Sequence, residues 1–117
     1  MSARAQGITH ELCARMIATT FDTLGDECVR RVKQAIADGI AVAVAGSRQE
    51  SAQLLARHVE RLGGAAQATV WRQGYRTSTV QAAYVNGVAV HVLDFEPMWL
   101  PPTHAVSPVL PRCDCIG

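Results

Sequence analysis

The sequence predicts an all-α fold of four to five helices with one short extended segment. Three observations lead there. Apolar residues recur at three- and four-residue spacing, the period of one helix face. Glycine and proline clusters at 63–64, 74 and 97–102 punctuate those stretches. Two segments open with a serine followed three positions later by Glu or Gln, Ser47 with Glu50 and Ser78 with Gln81. That pairing satisfies the free amides of a first helical turn.

The first helix runs from Thr9 to about Thr20, with Leu12, Met16 and Ile17 on one side. A longer one starts at Gly25-Asp26 and carries Val29, Val32, Ile36, Ile40 and Ala43 on one face. Arg30, Arg31, Lys33 and Gln34 take the others, and Gly46 closes it. The third helix follows the Ser47 cap and buries Ala52, Leu55, Val59 and Leu62 before Gly63-Gly64 stops it. Ala68–Trp71 reads as extended, ended by Gly74. Ser78 then opens a helix reaching about Asp94. Pro97, Pro101 and Pro102 make the next loop stiff and non-helical, and a further helix begins near Ser107-Pro108. A rival reading takes Gly39–Ser47, with its alternating Ala and Val, as a buried strand of a βαβ unit. The apolar period running unbroken from Val29 into Ala43 favours a helix.

Composition narrows the function classes. At 117 residues the chain is one domain's worth of sequence. It is 49% hydrophobic and 18% charged, which fits a piece of a larger buried body better than a self-sufficient small domain. Net charge is +1 and no basic run appears, which argues against nucleic acid as a partner. No stretch approaches the roughly 20 apolar residues of a membrane span, and no secretory signal order is visible. The expected location is cytoplasmic. Cys13, Cys28, Cys113 and Cys115 are not a disulfide framework. Cys13 and Cys28 fall in helical patterns and read as small buried hydrophobes.

Chemistry-bearing residues gather late in the chain. Asn86, His91, Asp94 and His104 surround one apolar helix and the loop after it. His91 and Asp94 are three apart, so on a helix they share a face, and the carboxylate would orient the imidazole. The plainer reading is a helix end, with His91 favoured by the dipole and Asp94 as a loop cap. His104 lies in a loop, where an exposed histidine is the plain reading and function the sharper one. Asp94 and His104 together would form an acid and a base if the proline loop folds back. Cys113-x-Cys115 with His104 and Asp114 has acceptable zinc donors. It lacks both the C-x₂-C spacing and a second pair, so no metal is assigned.

The run Ala82-Ala83-x-x-Asn86-Gly87-x-Ala89-x-His91-x-x-Asp94-Phe95, followed by Trp99, Pro101, Thr103, His104 and Val109-Leu110-Pro111, resembles the N-terminal signature of the MmgE/PrpD family. Upstream the likeness continues through Val32-Lys33, Asp38-Gly39, Ala45-Gly46, Gly63-Gly64 and Thr69–Gly74. The family pattern has two acids after Asp-Phe, where this chain has Glu96-Pro97, and a proline after the second histidine, where it has Ala105.

The resemblance implies a lyase that dehydrates 2-methylcitrate-like hydroxy-tricarboxylates, as in propionate metabolism, or decarboxylates cis-aconitate, without a cofactor. It implies Asp94 and His104 as catalytic residues and His91 and Asn86 as supporting or substrate-binding ones. The further Lys and His groups of the site belong to later sequence and a second, α+β domain. Residues 1–111 then read as the incomplete N-terminal part of a helical domain and 112–117 as a divergent tail. On that reading the chain is truncated or frameshifted and inactive alone. The alternative is a non-catalytic helical interaction module, or one half of a split enzyme, working as a homodimer or with a partner chain.

Overall fold

A computed structural model describes residues 7–99 and 103–116. Its helices are α1 (Ile8–Ala18), α2 (Asp26–Gly46), α3 (Glu50–Leu62), α4 (Thr79–His91) and α5 (Val106–Ile116), with a 3-10 turn at Phe21–Thr23. The strands are two-residue pieces forming two antiparallel ladders. β1 (Ala68–Thr69) pairs with β2 (Arg76–Thr77), and β3 (Met98–Trp99) with β4 (Thr103–His104). The chain is mostly helical, and its extended part is richer than the one segment expected. No helix among the described residues is long and apolar enough to cross a membrane. The chain divides into two units, Met1–Val32 and Lys33–Gly117, and α2 runs through the boundary.

In the first unit, α1 is supported locally by the Arg15–Glu11 pair one turn apart, at 2.7 Å. Glu27 accepts from both Arg30 and Arg31 at the start of α2. Hydrogen bonds from Arg31, then Arg30, hold its carboxyl below the ordinary value against a small desolvation effect. All these groups are exposed, where such pairs contribute little. No residue of α1 is buried, and Leu12, Met16 and Ile17 are exposed. Cys13 and Cys28 are exposed as well, which corrects the buried reading of both. Periodicity identifies an apolar face, but burial needs a second surface against it.

The second unit is built round α4. Ala82, Val85, Asn86, Ala89 and Val90 form its buried stripe at helical spacing. One core cluster joins Ala82 and Val85 to Ala56 and Val59 of α3 and to Ala68 and Val70, with Leu55 and Tyr75 packed on it. A second joins Ala89 and Val90 to Ala43 of α2, with Trp71 and Val106 alongside. Full burial of valines such as Val70 and Val90 contributes roughly 1.5–3 kcal/mol each. Leu62, expected in the core, is exposed. The face of α3 that packs is Ala52, Ala56 and Val59, one turn earlier.

Residues 39–46 are helical, so the strand alternative fails. Gly39, Ala43 and Gly46 are the buried residues of α2. A Cβ on Gly39 would collide with Val106 and Leu110 of α5, and one on Gly46 with the Ala89 carbonyl of α4. Small residues at helical spacing therefore let the backbones approach. Pro111 lies inside α5 and carries no N–H, so the carbonyl of Ser107, four residues earlier, loses its helical partner. That oxygen lies 3.1 Å from where a Cβ on Gly87 would stand.

The two serine caps behave differently. Ser78 is the N-cap of α4, its Oγ accepting from the Gln81 amide. Ser47 does not cap α3. The chain stays in a turn after Gly46, Ser47 Oγ donates to the Val44 carbonyl, and Gln49 stands at the N-cap without a side-chain bond.

Candidate functional site

The site begins where α4 ends. His91 is its last residue, and Asp94 follows in the left-handed region with φ 56°. Its N–H donates to the His91 carbonyl at 2.8 Å, closing a tight turn. Asp tolerates that conformation better than most residues. The turn takes Asp94 off the helix before i,i+3 geometry applies. His91 therefore does not pair with Asp94, as the helical spacing suggested, but with Glu96: its Nδ1 lies 2.8 Å from Glu96 Oε1.

The β3–β4 ladder, with Met98 opposite His104, reverses the chain and returns His104 to the same turn. Its Nε2 stands 3.2 Å from Asp94 Oδ1. Its Nδ1 faces Glu96 Oε1 at 3.3 Å, but this nitrogen is buried and makes no aligned hydrogen bond. The rings of His91 and His104 meet edge to face, centroids 4.7 Å apart. Pro97 is at the start of this connection, while Pro101 and Pro102 lie outside the described residues.

Glu96 is the centre of the arrangement. Its Oε1 accepts from His91, and its Oε2 accepts from the Ser107 N–H at 2.6 Å, in the first turn of α5. Free amides and the dipole both favour a carboxylate there. Burial pushes the Glu96 carboxyl upward, but the Ser107 and His91 hydrogen bonds and the nearby His104 outweigh it. The group is held below its ordinary range. It is thus ionised at neutral pH, and both oxygens act as acceptors. The His91 contact is then Nδ1–H donating, which leaves Nε2 as its outer nitrogen.

Exposure grades across the cluster. Side-chain accessibility is 75% for Asp94, 53% for His91, 24% for His104 and 0% for Glu96. Asp94, His91 and one edge of His104 can therefore meet a ligand, while Glu96 orients the two rings from beneath. An open, mostly apolar groove of about 470 Å³ runs between α4 and α5, with Tyr84, Gly87, His91, Ser107 and Pro108 among its walls. His91, Glu96 and His104 each present one donor atom, all within 4.8 Å of one another, so these three could also hold a cation. The side chains of Cys113, Asp114 and Cys115 lie outside the described residues.

Three of the four expected site residues, His91, Asp94 and His104, meet here. Asn86 is engaged elsewhere. It is buried one turn back on α4, where Oδ1 accepts from the Trp71 N–H at 2.9 Å and Nδ2 donates to the Thr69 carbonyl at 3.0 Å. Glu96 was not singled out in the sequence, where it read only as a departure from an acidic pair. The available signal was an acid five residues after His91 and shortly before a helix that lacks an N-terminal cap of its own.

Comparison with known proteins agrees with the sequence pattern. The family model described as the MmgE/PrpD N-terminal domain matches residues 10–113. Cis-aconitate decarboxylase of Mus musculus is 32% identical over 107 residues, covering 91% of this chain and 22% of that protein. The Homo sapiens cis-aconitate decarboxylase is 30% identical over the same shares. This chain spans about a fifth of the length of these curated relatives. With the match running from α1 through the His91–Glu96–His104 cluster and into α5, the chain belongs to the MmgE/PrpD family.

Proposed function

We propose that this chain supplies the acid/base edge of a lyase active site for a tricarboxylate, with Asp94 and His104 as the proton-handling pair. The observation that carries this reading is the 3.2 Å contact between Asp94 Oδ1 and His104 Nε2, two residues joined through a left-handed turn and a hairpin. The named activity of the relatives supports the substrate class. Decarboxylation of cis-aconitate leaves an electron pair on carbon that must be protonated. Dehydration of a hydroxy-tricarboxylate such as 2-methylcitrate needs one proton taken from carbon and another delivered to the departing hydroxyl. Both reactions need an acid/base pair within hydrogen-bond reach of the substrate.

His91 supports the pair by packing its ring edge to face against that of His104. Asn86 acts at one remove, holding α4 against the segment that carries Thr69 and Trp71. Cations for the substrate carboxylates, and the remaining acid/base groups, are assigned to the part of the relatives' length that this chain does not span. A second reading, a helical interaction module or one half of a split enzyme, is favoured by Val80, Tyr84, Phe95 and Met98, all large and exposed in the same unit.

The test is turnover by this chain, alone and joined to the rest of a family enzyme. Carbon dioxide release is followed with cis-aconitate and double-bond absorbance with 2-methylcitrate. In an active assembly, Asp94→Asn and His104→Gln are expected to lower kcat by about 10²–10⁴-fold. Unchanged turnover in both sinks the assignment. A stable co-purifying partner with no activity supports the interaction module instead.

A further inference from the structure

We infer that His91, Glu96 and His104 form a binding site for a divalent cation of the zinc type, with Asp94 as its positioning carboxylate. The argument starts from His104. Asp94 Oδ1 lies 3.2 Å from Nε2 and fixes the proton on that nitrogen. Nδ1 is buried, makes no aligned hydrogen bond, and stands 3.3 Å from Glu96 Oε1. A ring nitrogen and a carboxylate oxygen held this close without a hydrogen bond between them are placed for one ion to bridge both. A carboxylate on the outer nitrogen of a histidine is also the usual support of a metal-binding ring.

Two of the three edges between donor atoms lie near what such an ion needs, and the third, between the two rings, is within 4.8 Å. Bonds of about 2.0–2.1 Å in a tetrahedron place ligand atoms about 3.3–3.4 Å apart. Glu96 Oε1 and His104 Nδ1 already stand at 3.3 Å. His91 Nδ1, now 2.8 Å from the same oxygen, needs to open by about 0.5 Å to meet the tetrahedral edge. Its ring ends α4 and is half exposed, so that adjustment is local. Ser107 N–H holds the other Glu96 oxygen and keeps the carboxylate aimed. Two imidazoles and one carboxylate select zinc-like ions, whereas calcium and magnesium want mostly oxygen. Binding displaces the proton from His91 Nδ1, and any on His104 Nδ1, to solvent. It is a property of this chain's own residues and does not depend on the catalytic reading.

The experiment is a Zn²⁺ titration of the untagged chain with Cys13, Cys28, Cys113 and Cys115 replaced by Ser, so that thiolates take no ion. It is followed by calorimetry and by histidine ring resonances. The expected result is one equivalent bound with proton release, shifting His91 and His104 while His10 and His58 stay unmoved. His104→Gln and Glu96→Gln should each weaken binding by about tenfold or more, and Asp94→Asn by about 10–100-fold. Should a variant fail to fold, the ring resonances of the cysteine-free chain still decide. No binding, or gradual shifts at all four histidines alike, overturns the site and leaves a shared proton between His104 and Glu96.

Discussion

Two buried polar groups, one within α4 and one just beyond it, solve the same problem in opposite ways. Near the middle of α4, Asn86 is buried and both ends of its carboxamide are matched by neutral backbone groups of Trp71 and Thr69. Beyond its C-terminus, Glu96 is equally buried, yet it is surrounded by two imidazoles and an amide, and one imidazole nitrogen beside it lacks a partner. A buried polar group whose hydrogen bonds all close on the local backbone holds the fold together. One that leaves charge beside an unmatched ring nitrogen, with exposed groups next to it, is available for chemistry.

Substitution at Asn86 separates the two groups most sharply. Asn86→Leu removes both backbone partners at once and should lower stability by about 3 kcal/mol, read from the urea midpoint. The ring resonances of His91 and His104 should keep their positions, and their movement would break the distinction. Glu96→Gln comes next, at about 2 kcal/mol, because the amide has one acceptor oxygen and cannot serve both Ser107 N–H and His91 Nδ1–H. Here the Ser107 amide resonance should shift, while those of Thr69 and Trp71 stay fixed.

pH sharpens the same contrast from both sides. Glu96 is lowered from 4.5, so its stabilisation is present above that value and lost as pH falls through the depressed one. Against the core cluster of Ala56 and Val85, Tyr75 donates to the Ala56 carbonyl, and burial, then the Glu60 charge, raise its phenol above 10.0. Its contribution is complete below pH about 10 and is lost as pH rises through the raised value. Denaturation at both extremes should therefore show an acid slope absent from Glu96→Gln and an alkaline slope absent from Tyr75→Phe. The smallest effect belongs to Asp94→Asn, which removes one exposed ion-pair partner. Its stability should change by less than about 0.5 kcal/mol, whatever happens to activity.

Local signals were legible in proportion to how local their causes are. Ser78 caps α4 because a hydroxyl three residues before an amide needs nothing else. Asn86, expected beside the site, ties α4 to the Thr69–Trp71 segment, a contact fifteen or more residues away in sequence. The buried stripe of α4 was not marked in the sequence, because apolar residues fall on every side of that helix. Leu62, Cys13 and Cys28 misled because a period reveals a face without revealing a neighbour. Ser47 misled because the turn after Gly46 offered its hydroxyl a closer acceptor in Val44. Glu96 was invisible for a related reason. Its role requires a hairpin to bring back His104 and a helix to present Ser107, neither of which sits within one turn of it. The His91–Asp94 pairing failed at a single backbone angle, the left-handed Asp94, which no periodicity registers.

That angle also constrains what can replace Asp94. At φ 56°, glycine, asparagine and aspartate fit without strain, while β-branched residues do not. Of the three, only aspartate brings a negative charge to His104. A descendant chain that drifted to Asn or Gly at this position would keep its turn, its hairpin and its stability while losing the carboxylate. Among relatives, the residue at this one position therefore distinguishes those that can make the carboxylate–imidazole contact from those that kept only the shape.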